Sequence, residues 1–272
     1  MSGEGKDGDP GGRLRKVAAE LSADLAISIL FCTRLPLAHA LPIEGSDVAR
    51  ASWAMPIAGT LVGGLGAFAY CLGYEIGLPP LPAAALALAA TVVATGCLHE
   101  DGLVDTADGF GGGKDAAQKL AIMRDSRLGT YGACALLASF ILRWSALASI
   151  SAPRAVAMAL IVTHACARAA LPPFMRFVPP ARSEGLSART GRPPSASAAV
   201  ACALGALALL LGFGPLGALA VLLLLAGCGA CMAWLCRAQI GGQTGDVLGA
   251  LEQASEVLIL VAAAVGLRFG HG

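Results

Sequence analysis

Apolar residues run through most of the chain in long stretches, and the charged residues fall between them. Helices of membrane-crossing length are the elements this pattern predicts. Residues 53–76 form one largely apolar segment, with Glu75 at its far end. The turn Leu78-Pro79-Pro80-Leu81-Pro82 follows, and residues 83–98 return. Residues 130–150 make a third segment, carrying Arg143, and residues 155–174 a fourth, carrying His164 and Arg168. Residues 193–236 hold no formal charge, and Gly212-Phe213-Gly214-Pro215-Leu216-Gly217 splits them into a tight hairpin of two segments. Residues 256–267 close the chain, as a short span unless it starts near Gly249. The count is about seven spans of roughly 20 residues each. Residues 21–37 are apolar but interrupted by Asp24, Arg34 and Pro36, which suits an interfacial or re-entrant helix.

Composition turns this into a fold class. The 272 residues are 56% hydrophobic and 14% charged, against a usual charged share of about 25%, and the mean hydropathy is +0.71. The expectation is an all-α, polytopic helical bundle in a lipid bilayer, with short cytoplasmic helices. Residues 1–20, polar and glycine-rich, read as a disordered cytoplasmic tail, and 21–272 as a single membrane-embedded catalytic domain. The start of the chain lacks the apolar core and small-residue cleavage site of a secretory signal. The net charge of +1 says nothing about nucleic acid, but no basic patch appears, and no nucleic-acid partner is expected. The nine cysteines are scattered through apolar stretches, and the one C-x-x-C, Cys228 and Cys231, reads as small packing residues. Gly59-x-x-x-Gly63 and Gly73-x-x-x-Gly77 fit close helix contacts.

Basic residues set the orientation. Arg13, Arg15, Lys16, Arg34, Arg50, Lys114, Lys119, Arg124, Arg127, Arg176, Arg182, Arg189, Arg192 and Arg237 fall in segments that alternate onto one side. The opposite turns and end hold Arg154 and Arg268. The N-terminus and the charged loops are therefore expected in the cytoplasm.

One stretch breaks the avoidance of charge. His99-Glu100-Asp101-Gly102-Leu103-Val104-Asp105-Thr106-Ala107-Asp108-Gly109-Phe110 carries four of the 18 acidic residues within nine positions. If residues 101–108 are helical, Asp101, Asp105 and Asp108 stand at i, i+4 and i+7 and form one column. Like charges so placed repel unless cations bind them. Carboxylate oxygens suit a hard divalent ion, Mg2+, and no thiolate or multi-histidine set accompanies them to suggest zinc. A merely solvated face would interleave lysine with aspartate, and no lysine or arginine lies between His99 and Lys114.

Gly111-Gly112-Gly113 ends that helix, and residues 115–123 read as a short cytoplasmic one. Arg124-Asp125-Ser126-Arg127 follows, two arginines flanking a carboxylate, which is either phosphate-binding equipment or a helix-end ion pair. His164 and Arg168, four apart within a span, are either functional or a polar pair satisfied inside the bundle. Arg143 reads as snorkelling to the outer interface and stays outside the predicted site. Gly241-Gly242-Gln243-Thr244-Gly245-Asp246, in a loop on the cytoplasmic face, offers closely spaced backbone N–H groups to a phosphate, and Arg182-Ser183-Glu184-Gly185-Leu186 is similar in kind. An acidic column, arginines and glycine-rich loops at a membrane edge are equipment for phosphoryl transfer.

These residues carry a resemblance. Thr33-Arg34-Leu35-Pro36, Trp53-x-x-Pro56-x-x-Gly59-x-x-x-Gly63, the Asp101–Asp108 motif, Ile122-Met123-Arg124-Asp125-Ser126-Arg127-Leu128-Gly129 and Gly241-Gly242-Gln243-Thr244-Gly245-Asp246 occur together and in order. From about residue 25 to about residue 260 the chain resembles the adenosylcobinamide-GDP ribazoletransferase (cobalamin or cobamide synthase) family. The resemblance implies a Mg2+-dependent enzyme of the bacterial inner membrane, with its active site on the cytoplasmic face. Its substrates would be adenosylcobinamide-GDP and α-ribazole or α-ribazole 5′-phosphate, its products adenosylcobalamin or the 5′-phosphate and GMP. It implies Asp101, Asp105 and Asp108 as metal ligands and, with His99, as catalytic groups. Arg34, Arg124, Asp125, Arg127, Arg168, Gly241, Gly242, Gln243, Thr244 and Asp246 would bind substrate. The acidic motif also resembles that of the CDP-alcohol phosphotransferases, but Asp105-Thr106 stands where their pattern has Ala-Arg. A lipid-head-group transferase and a transporter with intramembrane carboxylates remain alternatives at this level, and a homo-oligomer is left open.

Overall fold

The computed structural model describes residues 10–36 and 44–269. Its helices are α1 (Pro10–Cys32), α2 (Gly45–Ala51), α3 (Met55–Glu75), α4 (Pro80–Thr95), α5 (Leu98–Gly112), α6 (Ala116–Ile122), α7 (Thr130–Ile150), α8 (Pro153–Ala169), α9 (Leu171–Phe177), α10 (Leu186–Thr190), α11 (Ser195–Ile240) and α12 (Gly245–Phe269). Pro80 and Pro153 sit at the first helical position of α4 and α8, where the missing N–H is no loss. Thr244 starts α12 by accepting from the Val247 N–H.

Among the described residues, five helical segments are long and apolar enough to cross a membrane, and a sixth if the bent pair α4–α5 is one crossing. α11 is two arms. Gly214, at φ 66 and ψ 179, and Pro215 break it, and Gly205 and Leu209 of the first arm face the same cavity as Leu222 and Leu225 of the second. Its two arms, residues 195–213 and 215–240, are the hairpin of two apolar segments that the sequence predicts.

Packing follows membrane logic. Leu211, Leu216, Leu223, Phe68 and Val93 point outward, while Ala58, Ala83, Ala87, Ala159 and Ala201 are buried. Between helices in lipid, side-chain size rather than apolarity decides what goes inside. The α3–α8 seam is the tightest case: a Cβ on Gly59 would lie 2.1 Å from the His164 carbonyl oxygen, and one on Gly63 2.5 Å from that of Leu160. Gly73-x-x-x-Gly77 is not a seam of that kind. Gly73 meets side chains of α4, and Gly77, at φ +89, ends α3.

Three boundaries depart from the sequence reading. The segment 1–20, expected as a tail, is helical from Pro10 onward, because Leu14-Arg15-Lys16 and Ala18-Ala19-Glu20 are good helix formers; residues 1–9, like residue 37, lie outside the described residues. Residues 83–98 do not run as one helix. Gly96 and Cys97 are both left-handed (φ 63 and 61), and the chain turns by 88° there. The last span starts at Gly245, close to the Gly249 alternative and not at Glu256, so Glu252 and Glu256 lie inside it.

Candidate active site

The bend at Gly96–Cys97 directs α5 away from α4 and packs it against α12. A Cβ on Gly102 would lie 2.7 Å from the Asp246 carbonyl oxygen and 3.0 Å from the Gly249 Cα, so the helices touch backbone to backbone. Two cavities flank α5. One, of about 470 Å3, is lined by Asp101, Asp105, Arg124, Asp125, Arg127 and Phe140 among others. The other, of about 150 Å3, lies towards α12 and includes Asp101, His99, Arg182 and Asp246. Asp101 borders both.

The predicted column divides. The side-chain carboxylates of Asp101 and Asp105 have no hydrogen-bond or ion-pair partner among the described residues. Asp101, Asp108 and Asp246 all lie within electrostatic reach of Asp105. Asp108 differs: its Oδ2 accepts from Gly129 N–H and its Oδ1 from Gly132 N–H, both at 2.8 Å. It caps α7 from another helix, where Gly129 offers no side chain of its own. Open carboxylates, hard oxygen donors and mutual repulsion fit Mg2+ at Asp101 and Asp105; Asp108 is already engaged. Glycine at 132 is required by this cap, since a Cβ there would lie 2.4 Å from Asp108 Oδ2. Gly132→Ala is therefore expected to destabilise the protein by about 1–3 kcal/mol, the cost of stranding buried partners. Thermal melting in detergent checks this, and adding Asp108→Ala to Gly132→Ala should cost little more.

The other predicted binders separate as well. Arg127 pairs with Asp125 through Nε and Nη2, holding the Asp125 carboxyl below its usual range. Both line the larger cavity with Arg124, so the ion pair is built into the cavity wall. Arg34 is exposed, and its side chain lies over Gly96 at the bend. The Gly241–Asp246 loop spends its backbone internally. Gly241 N–H caps α11, Gln243 N–H donates to Pro179 and Gln243 C=O accepts from Ala181. Gln243 Oε1 accepts from Ser187, and Gly242 leaves no room for a Cβ beside the Pro179 carbonyl oxygen. Gly242 and Gln243 thus clamp the loop before α10, Gly241 and Thr244 serve the ends of α11 and α12, and Gly245 and Asp246 reach the smaller cavity.

Arg168 lies in neither cavity. It is fully buried, with Nη1 2.7 Å from Glu252 Oε1 and 3.4 Å from Glu256 Oε1. His164 Nδ1 lies 2.6 Å from Glu256 Oε1. Arg143, 1% exposed, does not snorkel outward: it donates to Glu256 at 2.8 Å and to Glu100 at 3.3 Å. His99 Nδ1 sits 3.3 Å from Arg168 Nη2 and 3.6 Å from Glu252 Oε2, at the edge of the same network. Donor atoms of His164, Glu252 and Glu256 lie within 4.8 Å of one another, a spacing that could hold a metal. The Arg168 guanidinium already supplies the cation there. The network ties α5, α7, α8 and α12 together and fixes the helix that bears Asp101 and Asp105. Glu100, Glu252 and Glu256 were absent from the sequence-predicted site; the available signal was the match of His164/Arg168 and Glu252/Glu256, both at i, i+4 in apolar helices.

Comparison with known proteins adds three relatives. The family model described as cobalamin-5-phosphate synthase matches residues 24–264. The adenosylcobinamide-GDP ribazoletransferase of Bradyrhizobium diazoefficiens is 55% identical over 242 residues, covering 89% of this chain and 93% of that protein. The one of Mesorhizobium japonicum is 51% identical over 244 residues, 90% and 93%. The one of Azorhizobium caulinodans is 39% identical over 259 residues, 92% and 98%. No solved structure matches the chain significantly.

Proposed function

The chain belongs to the cobalamin-5-phosphate synthase family, transferases of cobalamin biosynthesis, and on that footing we propose that it moves the adenosylcobinamide-phosphate group of adenosylcobinamide-GDP onto α-ribazole or its 5′-phosphate. The observation that carries this is the cavity in which two unpartnered carboxylates, Asp101 and Asp105, face Arg124 and Arg127. A diphosphate needs both: arginine N–H groups for its oxygens and a site for a counter-cation. Mg2+ held by Asp101 and Asp105 would neutralise charge on the diphosphate and on the leaving phosphate.

The chain's own groups do the rest. Arg124 and Arg127 grip the diphosphate, with Asp125 fixing the Arg127 fork. A ribose hydroxyl of the acceptor forms a new bond to the phosphorus on the cobinamide arm. The bond from that phosphorus to the GMP oxygen breaks, and GMP leaves with the electron pair. The hydroxyl proton passes to Asp101, the carboxylate that borders both cavities. Residues 99–102 follow a bend at the end of an apolar segment, and the Lys/Arg bias supports a site facing the cytoplasm from the inner membrane.

GMP release in liposomes, with both substrates and a Mg2+ titration, tests the reading. Release should require donor, acceptor and Mg2+ together. CMP release from a CDP-alcohol in place of it would overturn the assignment.

A further inference from the structure

The smaller cavity has no assigned occupant, and its lining is two-sided. Phe31, Met55, Leu171 and Met175 form an apolar wall, and Arg182 and Asp246 stand on the polar side. Methionine sulfur against a ring is a favourable contact for a planar aromatic guest. Arg182 Nη2 pairs loosely with Asp246 Oδ2 at 3.8 Å, which holds the guanidinium at the cavity's polar side. Arg182 Nη1 is buried and has no partner. A buried guanidinium N–H without an acceptor is costly and suits an anionic oxygen. The cavity's about 150 Å3 suits one fused ring system with its sugar at the edge, not a corrinoid.

We propose that this cavity seats the acceptor nucleoside, its heterocycle on the Phe31–Met55–Met175 wall and its ribose phosphate on Arg182. The assignment rests on the transferase reading above. It gives Asp101 a geometric reason to border both cavities: the acceptor hydroxyl reaches the donor phosphorus beside that shared carboxylate. It also gives the Gly242–Gln243 clamp a purpose, because those residues anchor the loop that carries Arg182 through Pro179, Ala181 and Ser187.

The test is steady-state kinetics of the full-length protein in liposomes with the GDP donor and either α-ribazole or α-ribazole 5′-phosphate. Arg182→Ala should raise the KM ratio of phosphorylated over unphosphorylated acceptor by about tenfold, the worth of one charge-assisted hydrogen bond. Arg182→Lys should restore part of that ratio. Met175→Trp, which fills the apolar side, should raise KM for both acceptors together by about tenfold and more than for the donor. Equal effects of Arg182→Ala on the two acceptors, or a KM change of either variant falling mainly on the donor, overturn the proposal. Failure of the wild-type protein to release GMP would instead refute the transferase reading itself.

Discussion

Asp105→Asn is expected to lower GMP release by about a thousandfold while the protein's melting temperature stays the same or rises. A loss of that size corresponds to about 4 kcal/mol of transition-state stabilisation, the scale on which a metal-bound charge acts on a transferring phosphoryl group. The stability half of the expectation has a separate cause. Asp105 stands within electrostatic reach of Asp101, Asp108 and Asp246, so neutralising it relieves repulsion. A residue kept for folding would show the opposite pairing of effects. Added Mg2+ should raise the melting temperature of the wild type and do so less for Asp105→Asn. A variant that retains more than a tenth of wild-type turnover would sink the assignment of the larger cavity as the reaction centre.

Arg168→Met is expected to destabilise the protein by about 3–5 kcal/mol, the usual cost of leaving a buried partner charge uncompensated. Glu252 and Glu256 both turn their carboxylates to this guanidinium, and all three are out of contact with solvent. Thermal unfolding of purified protein in detergent measures the effect. Combining Arg168→Met with Glu252→Gln should recover part of the loss, because the orphaned charge is then gone. If Arg168→Met kept wild-type stability and lost only substrate affinity, the arginine would belong to the substrate site that the sequence suggested, and the buried network would not position α5. A uniform fall in activity and stability together is what the network's position between four helices predicts.

Much of the molecule was legible because its information is local. Hydropathy over about 20 residues finds a membrane crossing wherever it lies, so the α3, α7, α8 and α11 spans and the break at Gly214 follow from composition alone. Spacing of three and four residues puts Asp101, Asp105 and Asp108 on one helical side whatever α5 packs against. The neighbouring Arg124–Arg127 knot reached the same cavity because the short α6 hairpin ties it to α5. The arrays that the same spacing could not interpret were those whose meaning depends on a distant partner. Asp108 looks like its two companions until Gly129 and Gly132 arrive to use it. Gly242 and Gln243 look like a phosphate loop until Pro179 and Ala181 occupy their backbone groups. Arg143 and Arg168 look like an interface residue and a ligand for phosphate until Glu256, 113 and 88 positions away, closes the network around both. Charges inside α12 even disguised the length of that helix. Helix, span and acidic face are properties of residues close in the chain, which hydropathy and periodicity record directly. Which carboxylate stays open for a cation and which is spent holding the bundle together is a property of pairs brought together by packing, and a desolvated charge takes whichever partner the neighbouring helix presents.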